Sequence, residues 1–261
     1  MRTLVTSCLL GVLAATASAQ SQPPRSLPPG DRLINLPTHA TVGASTLQVM
    51  FTHRFSQTVD GAGGYDLFGL DSAANIGIGL ALGLGRDLEV ELYRASFLKE
   101  YEAAAKWTLA RQGAAFPIGL AVRAGADYRG AKGIDERWSA IAQLVIARRV
   151  GETVEVFVIP SYASDTPSLT NAANVALAAL WQLPQRWHLA FEVVPENRDA
   201  ADGEVAWAVG LAKRLPGHEF LFYLGNSPAT TTSLIVGSDL PGGFGASDVR
   251  LGFNIVRRFP E

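Results

Sequence analysis

Apolar and polar residues alternate with a period of two along most of this chain. Leu47, Val49 and Phe51 fall opposite Gln48, Thr52 and Arg54, and Leu88, Val90 and Leu92 opposite Glu89, Glu91 and Tyr93. The run from Ala73 to Gly85 is nearly apolar throughout, yet it is shorter than the roughly 20 residues a membrane helix needs, and its glycines oppose a helix. Period two fits it, with Ile76, Ile78, Leu80 and Leu82 on one face and Asn75, Gly77, Gly79 and Ala81 on the other. The same alternation predicts twelve strands between Leu47 and Phe259.

Connection lengths carry a second pattern. Short turns at 83–86, 112–116, 150–151, 184–186 and 215–217 alternate with longer polar loops at 56–72, 95–100, 128–136, 163–173, 196–203 and 227–247. An even number of strands with strict short and long alternation predicts an all-β, antiparallel up-and-down transmembrane β-barrel, with turns and both termini in the periplasm and loops outside. Trp107, Trp138, Trp181, Trp187 and Trp207 all take the apolar phase. Trp138 and Trp207 are placed near outer strand ends and the other three near inner ends, as two interfacial girdles in outer-membrane lipid. A soluble sandwich or lipocalin shares the alternation. Twelve closed strands, however, enclose more space than apolar side chains fill.

The N-terminus adds a compartment. Met1-Arg2-Thr3, the apolar stretch 4–15 and Ala17-Ser18-Ala19 read as an export signal over residues 1–19, and Cys8, the single cysteine, leaves with it. Residues 20–45 read as a Pro-rich tether and N-terminal extension, with four prolines between Gln20 and Gly30, and residues 46–261 as the barrel. Loss of Arg2 takes the 22 basic residues to 21 against 24 acidic ones, 21 − 24 = −3, which leaves no basic footprint for nucleic acid.

Inward phase selects the candidate lumen residues. Glu89, Glu91, Glu102, Asp127, Glu155, Glu192, Glu204 and Glu219 point in, with Arg54, Lys106, Arg123, Arg149, Arg214, Arg250 and Arg258. This near balance reads either as charges bracing the wall or as a polar pore of weak ion preference. Arg54, Asp71, Asn75, Lys106, Arg123 and Glu192 are the constriction candidates. Loops 56–72 and 227–247 are both expected to face outward; the glycine-punctuated run 64–75 carries Asp66 and Asp71, and one reading folds it inward towards Arg54 and Lys106 as a constriction. A solvated loop in which Asp71 caps a turn is the other reading. The Arg-bearing strand ends at 53–55, 147–150 and 256–259 read as interfacial anchors. His39, His53, His188 and His218 show no metal-ligand spacing, and no nucleophile elbow or nucleotide fingerprint occurs, so no catalytic residue, metal or cofactor is expected.

Several segments in order resemble an uncharacterised family of bacterial outer-membrane β-barrel proteins, a domain of unknown function. They are Asn35-Leu36-Pro37-Thr38, His53-Arg54-Phe55, Phe68-Gly69-Leu70-Asp71 with Asn75, Tyr93-Arg94, Arg148-Arg149, Gly217-His218, Asn226-Ser227, and the ending Gly252-Phe253-Asn254 to Arg257-Arg258-Phe259. Pro216 departs from the paired glycines that similar sequences carry there. The ending is also similar to the terminal aromatic signal read by barrel-assembly machinery, although Pro260 and Glu261 follow Phe259. The resemblance implies a barrel and supplies no activity. Three functions stay open: a narrow channel for small polar solutes, a non-conducting barrel that anchors or serves a periplasmic or respiratory partner, and a membrane-embedded hydrolase. A lumen blocked by its own side chains would count against the first.

Overall fold

A computed structural model describes residues 32–133, 135, 137–167, 170–197, 203–238 and 244–259. The signal-like stretch and most of the Pro-rich tether lie outside the described residues. Twelve antiparallel strands form one closed barrel in which each strand pairs with its sequence neighbours and the last returns to the first. They are β1 (Leu47–Phe55), β2 (Ala74–Gly83), β3 (Leu88–Ala95), β4 (Glu100–Ala110), β5 (Gly119–Arg129), β6 (Trp138–Val150), β7 (Val154–Ser164), β8 (Asn171–Gln182), β9 (Trp187–Val194), β10 (Ala206–Leu215), β11 (His218–Gly225) and β12 (Arg250–Phe259). Closure pairs Gln48 with Arg258 and Arg54 with Gly252, so the barrel has no free edge to aggregate. Among the described residues no helix is long and apolar enough to cross a membrane.

The period-two pattern acts as expected. In β3, Leu88, Val90, Leu92 and Arg94 point out, and Glu89, Glu91, Tyr93 and Ala95 point in. Trp107, Trp138, Trp181 and Trp187 are exposed on the outer surface; Trp207 is half-buried there, its Nε1 donating to the Ala246 carbonyl at 2.9 Å. Trp138 and Trp207 stand at the end of the barrel that carries the long loops, and the other three at the turn end. Inward glycines make room for large side chains. A β-carbon at Gly77 would collide with the Tyr93 hydroxyl, and one at Gly252 with the Tyr223 ring.

The interior is filled rather than hollow. Two segments outside the strands occupy it: the chain from Arg32 to Val42, and residues 229–238 of the β11–β12 loop with their short helix. The latter contains α2 (Thr232–Gly237), every residue of which is buried; α1 (Val59–Ala62) lies in the first loop. Two expectations are corrected here. Of the two long loops expected to face outward, the first does, with Asp71 and Tyr65 exposed, whereas residues 229–238 of the other turn inward, with Ser233 fully buried. Glu204 lies in the loop before β10 rather than on an inward strand face.

Candidate functional site: the filled lumen

The N-terminal segment is a hairpin. Arg32 bridges Pro37 antiparallel, and the Leu33 N–H donates to the Leu36 carbonyl at 2.8 Å, which reverses the chain at Ile34-Asn35. Its tip grips one wall carboxylate. Glu192 Oε1 accepts from the backbone N–H groups of Ile34 at 2.8 Å, Asn35 at 2.9 Å and Leu36 at 2.9 Å, and Oε2 accepts from Asn35 Nδ2 at 3.2 Å. Arg54 holds the other side of that side chain, donating from Nη2 to Asn35 Oδ1 at 3.0 Å and from Nη1 to Asn254 Oδ1 at 2.7 Å. Its guanidinium lies 4.5 Å from the Tyr223 ring centre, and Asn254 Nδ2 donates to the Ile34 carbonyl at 2.9 Å. From the tip the chain runs to the turn end, where the Val42 N–H donates to Glu89 at 2.6 Å and Ser45 meets Gly83 at 3.0 Å.

The α2 segment docks in the same way. Thr232 N–H donates to Glu102 at 2.6 Å, Ser233 N–H to Asp127 at 2.8 Å and Ser233 Oγ to Glu100 at 3.0 Å, while the Thr231 hydroxyl also meets Glu100. Asn75 Nδ2 donates to the Pro228 carbonyl at 3.0 Å, and Asn174 Nδ2 to that of Val236 at 3.0 Å. Leu234 and Ile235 join Leu33, Ile34, Leu36, Phe157 and Ile159 in one apolar cluster inside the barrel.

Wall charges are paired beneath these segments. Lys106 Nζ lies 2.7 Å from Glu89; Arg123 forks onto Glu91, with Nη2 at 2.9 Å, and reaches Glu102; Arg129 pairs with Glu100 at 3.4 Å. Arg32 of the hairpin enters this network, 2.7 Å from Glu102 and 3.3 Å from Glu91. Buried ions persist only when paired or hydrogen-bonded. The buried described residues hold eight carboxylates (Glu89, Glu91, Glu100, Glu102, Asp127, Glu155, Glu192, Glu219) and four wall bases (Arg54, Lys106, Arg123, Arg129), 8 − 4 = 4 in excess. Neutral donors from the inserted segments reach five of these carboxylates, Glu192, Glu89, Glu102, Asp127 and Glu100.

Little open space is left. A cavity of about 20 Å³ lies between His39, Glu155, His188 and Glu219, where His39 Nδ1 stands 3.8 Å from Glu155 and His188 Nε2 3.8 Å from Glu219. Burial, together with the nearby Lys106, Arg111 and Arg149 charges, pushes the His39 imidazole down to about 4. A larger cavity of about 270 Å³, lined by Arg214, Glu219 and Arg258 among others, sits at the turn-end mouth. Among the described residues no group of three or more His, Cys, Asp or Glu is placed to hold a metal ion.

The profile of the family described as a membrane bound beta barrel domain (DUF5777) matches residues 29–259. The chain belongs to that family. It is a membrane-bound β-barrel, and its fold is that of outer-membrane barrels. The NanC porin superposes with a TM-score of 0.55 at 6% identity, over 81% of this chain and 98% of that one. The COG4313 outer membrane channel from Pseudomonas putida F1 gives 0.53 at 13% identity, over 85% and 98%. Outer membrane phospholipase A from Escherichia coli gives 0.47 at 14% identity, over 82% and 92%. Comparison with the curated proteins finds no match.

Within this family barrel the candidate residues separate. Arg54 and Glu192 meet at the hairpin tip, Lys106 and Arg123 sit in the ion-pair network, and Asn75 anchors the α2 loop. Asp71 joins none of them: it is exposed on the outer loop, which fits the solvated-loop reading, and the lumen is filled by α2 and the hairpin. Arg54 is 1% exposed and faces inward, so it is no interfacial anchor. Glu100, Arg129 and Arg32 were missed. The first two lie at strand ends, where a charge reads as loop, and the third follows the tether; only the apolar runs Leu33-Ile34 and Leu234-Ile235-Val236 amid polar sequence signalled buried insertions.

Proposed function

We propose that this barrel is an outer-membrane channel for small polar solutes, closed in the described state by two segments of its own chain, with the turn end and both termini in the periplasm after signal cleavage. One observation carries the reading. The filling is not wall alone: it is a loop helix and a hairpin whose tip is docked by neutral donors on inward carboxylates, contacts that exchange for water without stranding a charge, with Arg32 as a charged tie at the hairpin base. A blocked lumen counts against a permanently open pore, but here the blockage is separable from the wall. The five Trp residues serve as interfacial anchors in this reading, with lipid and barrel-assembly machinery as partners. No catalytic role is included: His39 and His188 face carboxylates, and His53 stacks on Phe253 with ring centres 5.0 Å apart on the outer wall.

Planar-bilayer recordings test this. The full chain is expected to be silent, and a chain lacking residues 32–42, with residues 231–237 replaced by a Gly-Ser link, is expected to give discrete conductance steps. Silence of both, with barrel circular dichroism intact, would overturn the channel. That outcome would favour the non-conducting barrel serving a periplasmic partner, a reading supported by the buried ion pairs that brace β3, β4 and β5.

A further inference from the structure

The hairpin tip occupies a site that is built by the wall. Arg54, Glu192, Tyr223 and Asn254 come from β1, β9, β11 and β12, and each is at most 4% exposed. The Arg54 fork is oriented before any ligand arrives, since Nη1 is held by Asn254 and the guanidinium plane is supported by Tyr223. Between this cation and the Glu192 carboxylate stands a single small dipole, the Asn35 side-chain amide, with its oxygen 3.0 Å from Arg54 and its nitrogen 3.2 Å from Glu192. Glu192 also collects three backbone N–H donors on one oxygen, a concentration of positive dipoles for which an ammonium group can substitute.

We propose that Arg54 and Glu192 form a binding site for a small zwitterion of the free amino acid class, which the Asn35 tip occupies as a stand-in and which the solute takes by competition. The solute's ammonium replaces the hairpin N–H groups on Glu192. Its carboxylate replaces the Asn35 oxygen on Arg54, where planar two-point pairing favours a carboxylate over a hydroxyl. Acetate or methylammonium alone satisfies one wall charge and leaves the other buried without its partner. The inference rests on the reading of the hairpin as displaceable. It explains how a closed barrel admits one class of solute: binding to the released state shifts the population in proportion to the ligand's preference for it.

The test uses the full chain in neutral detergent and needs no conductance. Calorimetric titration with glycine and L-asparagine is run beside acetate, methylammonium and glucose, while hydrogen exchange follows the amides of residues 34–36. Saturable binding of the two amino acids, with at least a tenfold rise in exchange at those amides, is expected; the three controls are expected to do neither. Asn35→Ala weakens the competitor and leaves the wall intact, so it is expected to tighten amino acid binding about tenfold, whereas a merely structural role would leave affinity unchanged or weaken it. Glu192→Gln, which keeps the shape, is expected to abolish discrimination between glycine and acetate. Absence of binding in both the parent and Asn35→Ala, equal response to the controls, or an unchanged affinity in Asn35→Ala would overturn the proposal. Silence of both the full chain and the deletion chain in bilayers, with amino acid binding intact, would overturn the channel reading and leave this site standing.

Discussion

Removal of the Glu192 carboxylate isolates what holds the hairpin. In the parent, one oxygen accepts three backbone N–H groups at 2.8, 2.9 and 2.9 Å in a place where Glu192 is 3% exposed. Glu192→Gln retains an acceptor at that point but makes all three bonds neutral, and its Nε2, a donor in place of Oε2, loses the bond from Asn35 Nδ2. Hydrogen bonds to a charged group contribute about 1.5–3 kcal/mol and neutral ones about 0.5–1.5, so three bonds sharing one oxygen lose about 2–3 kcal/mol together. Glu192→Ala leaves three buried donors with no acceptor, at about 1–3 kcal/mol each, and the tip leaves the site rather than remain unsatisfied. The assay is hydrogen exchange of the amides of residues 34–36 in the full chain. A loss of 2–3 kcal/mol corresponds to exchange faster by about two orders of magnitude in the Gln variant, and Ala is expected to abolish protection. Amides in the Ala variant that exchange as slowly as in the parent would refute the claim that this carboxylate docks the hairpin.

Acid should loosen the hairpin through His39, whose docked value of about 4 lies below the ordinary 6.5. A depressed imidazole leaves stability intact above 6.5 and removes it as pH falls to 4; 6.5 − 4 = 2.5 corresponds to about 3 kcal/mol. Melting midpoints at pH 7.5 and 4.5 should therefore differ more in the parent than in His39→Gln, and an equal difference would remove His39 from the account. Leu92→Arg on the outer face at the middle of β3 should cost about 2–4 kcal/mol. A hollow lumen would tolerate Ala121→Arg, but Ala121 is fully buried in the internal cluster, so overpacking should make this substitution equally costly in denaturant titrations. Tolerance there would refute the filled interior. On whole cells, an impermeant thiol reagent should label Tyr65→Cys and spare Ser233→Cys, and the opposite pattern would exchange the roles of the two loops.

The wall was legible because a lipid-facing strand announces itself twice, by alternation along its length and by the connection that follows it. Arg54, Asn75, Lys106, Arg123 and Glu192 all fell on the inward phase for that reason. The filling was not legible, because it depends on pairings between distant residues. Thr232 meets Glu102 across 130 positions and Ile34 meets Glu192 across 158, and nothing local marks either pair. Asp66 and Asp71 suggested an inward fold of 64–75 beside the solvated reading, and the exposed Asp71 fits the solvated one. An acid in a glycine-rich loop has no need to be buried, whereas loop 227–247 carries Leu234-Ile235-Val236, which does.

The division between fixed and movable parts of the interior follows from the kind of bond each makes. Lys106 with Glu89, and Arg123 with Glu91 and Glu102, join wall to wall; opening either would strand a buried ion, so these pairs stay closed. Buried carboxylates outnumber the buried wall bases by four; Arg214 takes one of them, Glu219, while Asp127 and Glu192 draw donors from the inserted segments. Backbone N–H groups are donors that almost any residue supplies, so an inserted segment can saturate an acidic wall without carrying charge of its own. Withdrawal of such a segment exposes its amides and the carboxylates to water together, and both are well solvated there. Arg32 is the exception, since its guanidinium spans Glu91 and Glu102. It ties the start of the hairpin to the fixed network, while Ile34, Asn35 and Leu36 rest on a carboxylate that water or a solute can satisfy equally well. In the proposed channel the lumen therefore opens from the hairpin tip at Glu192, and the ion pairs of β3, β4 and β5 remain as its lining.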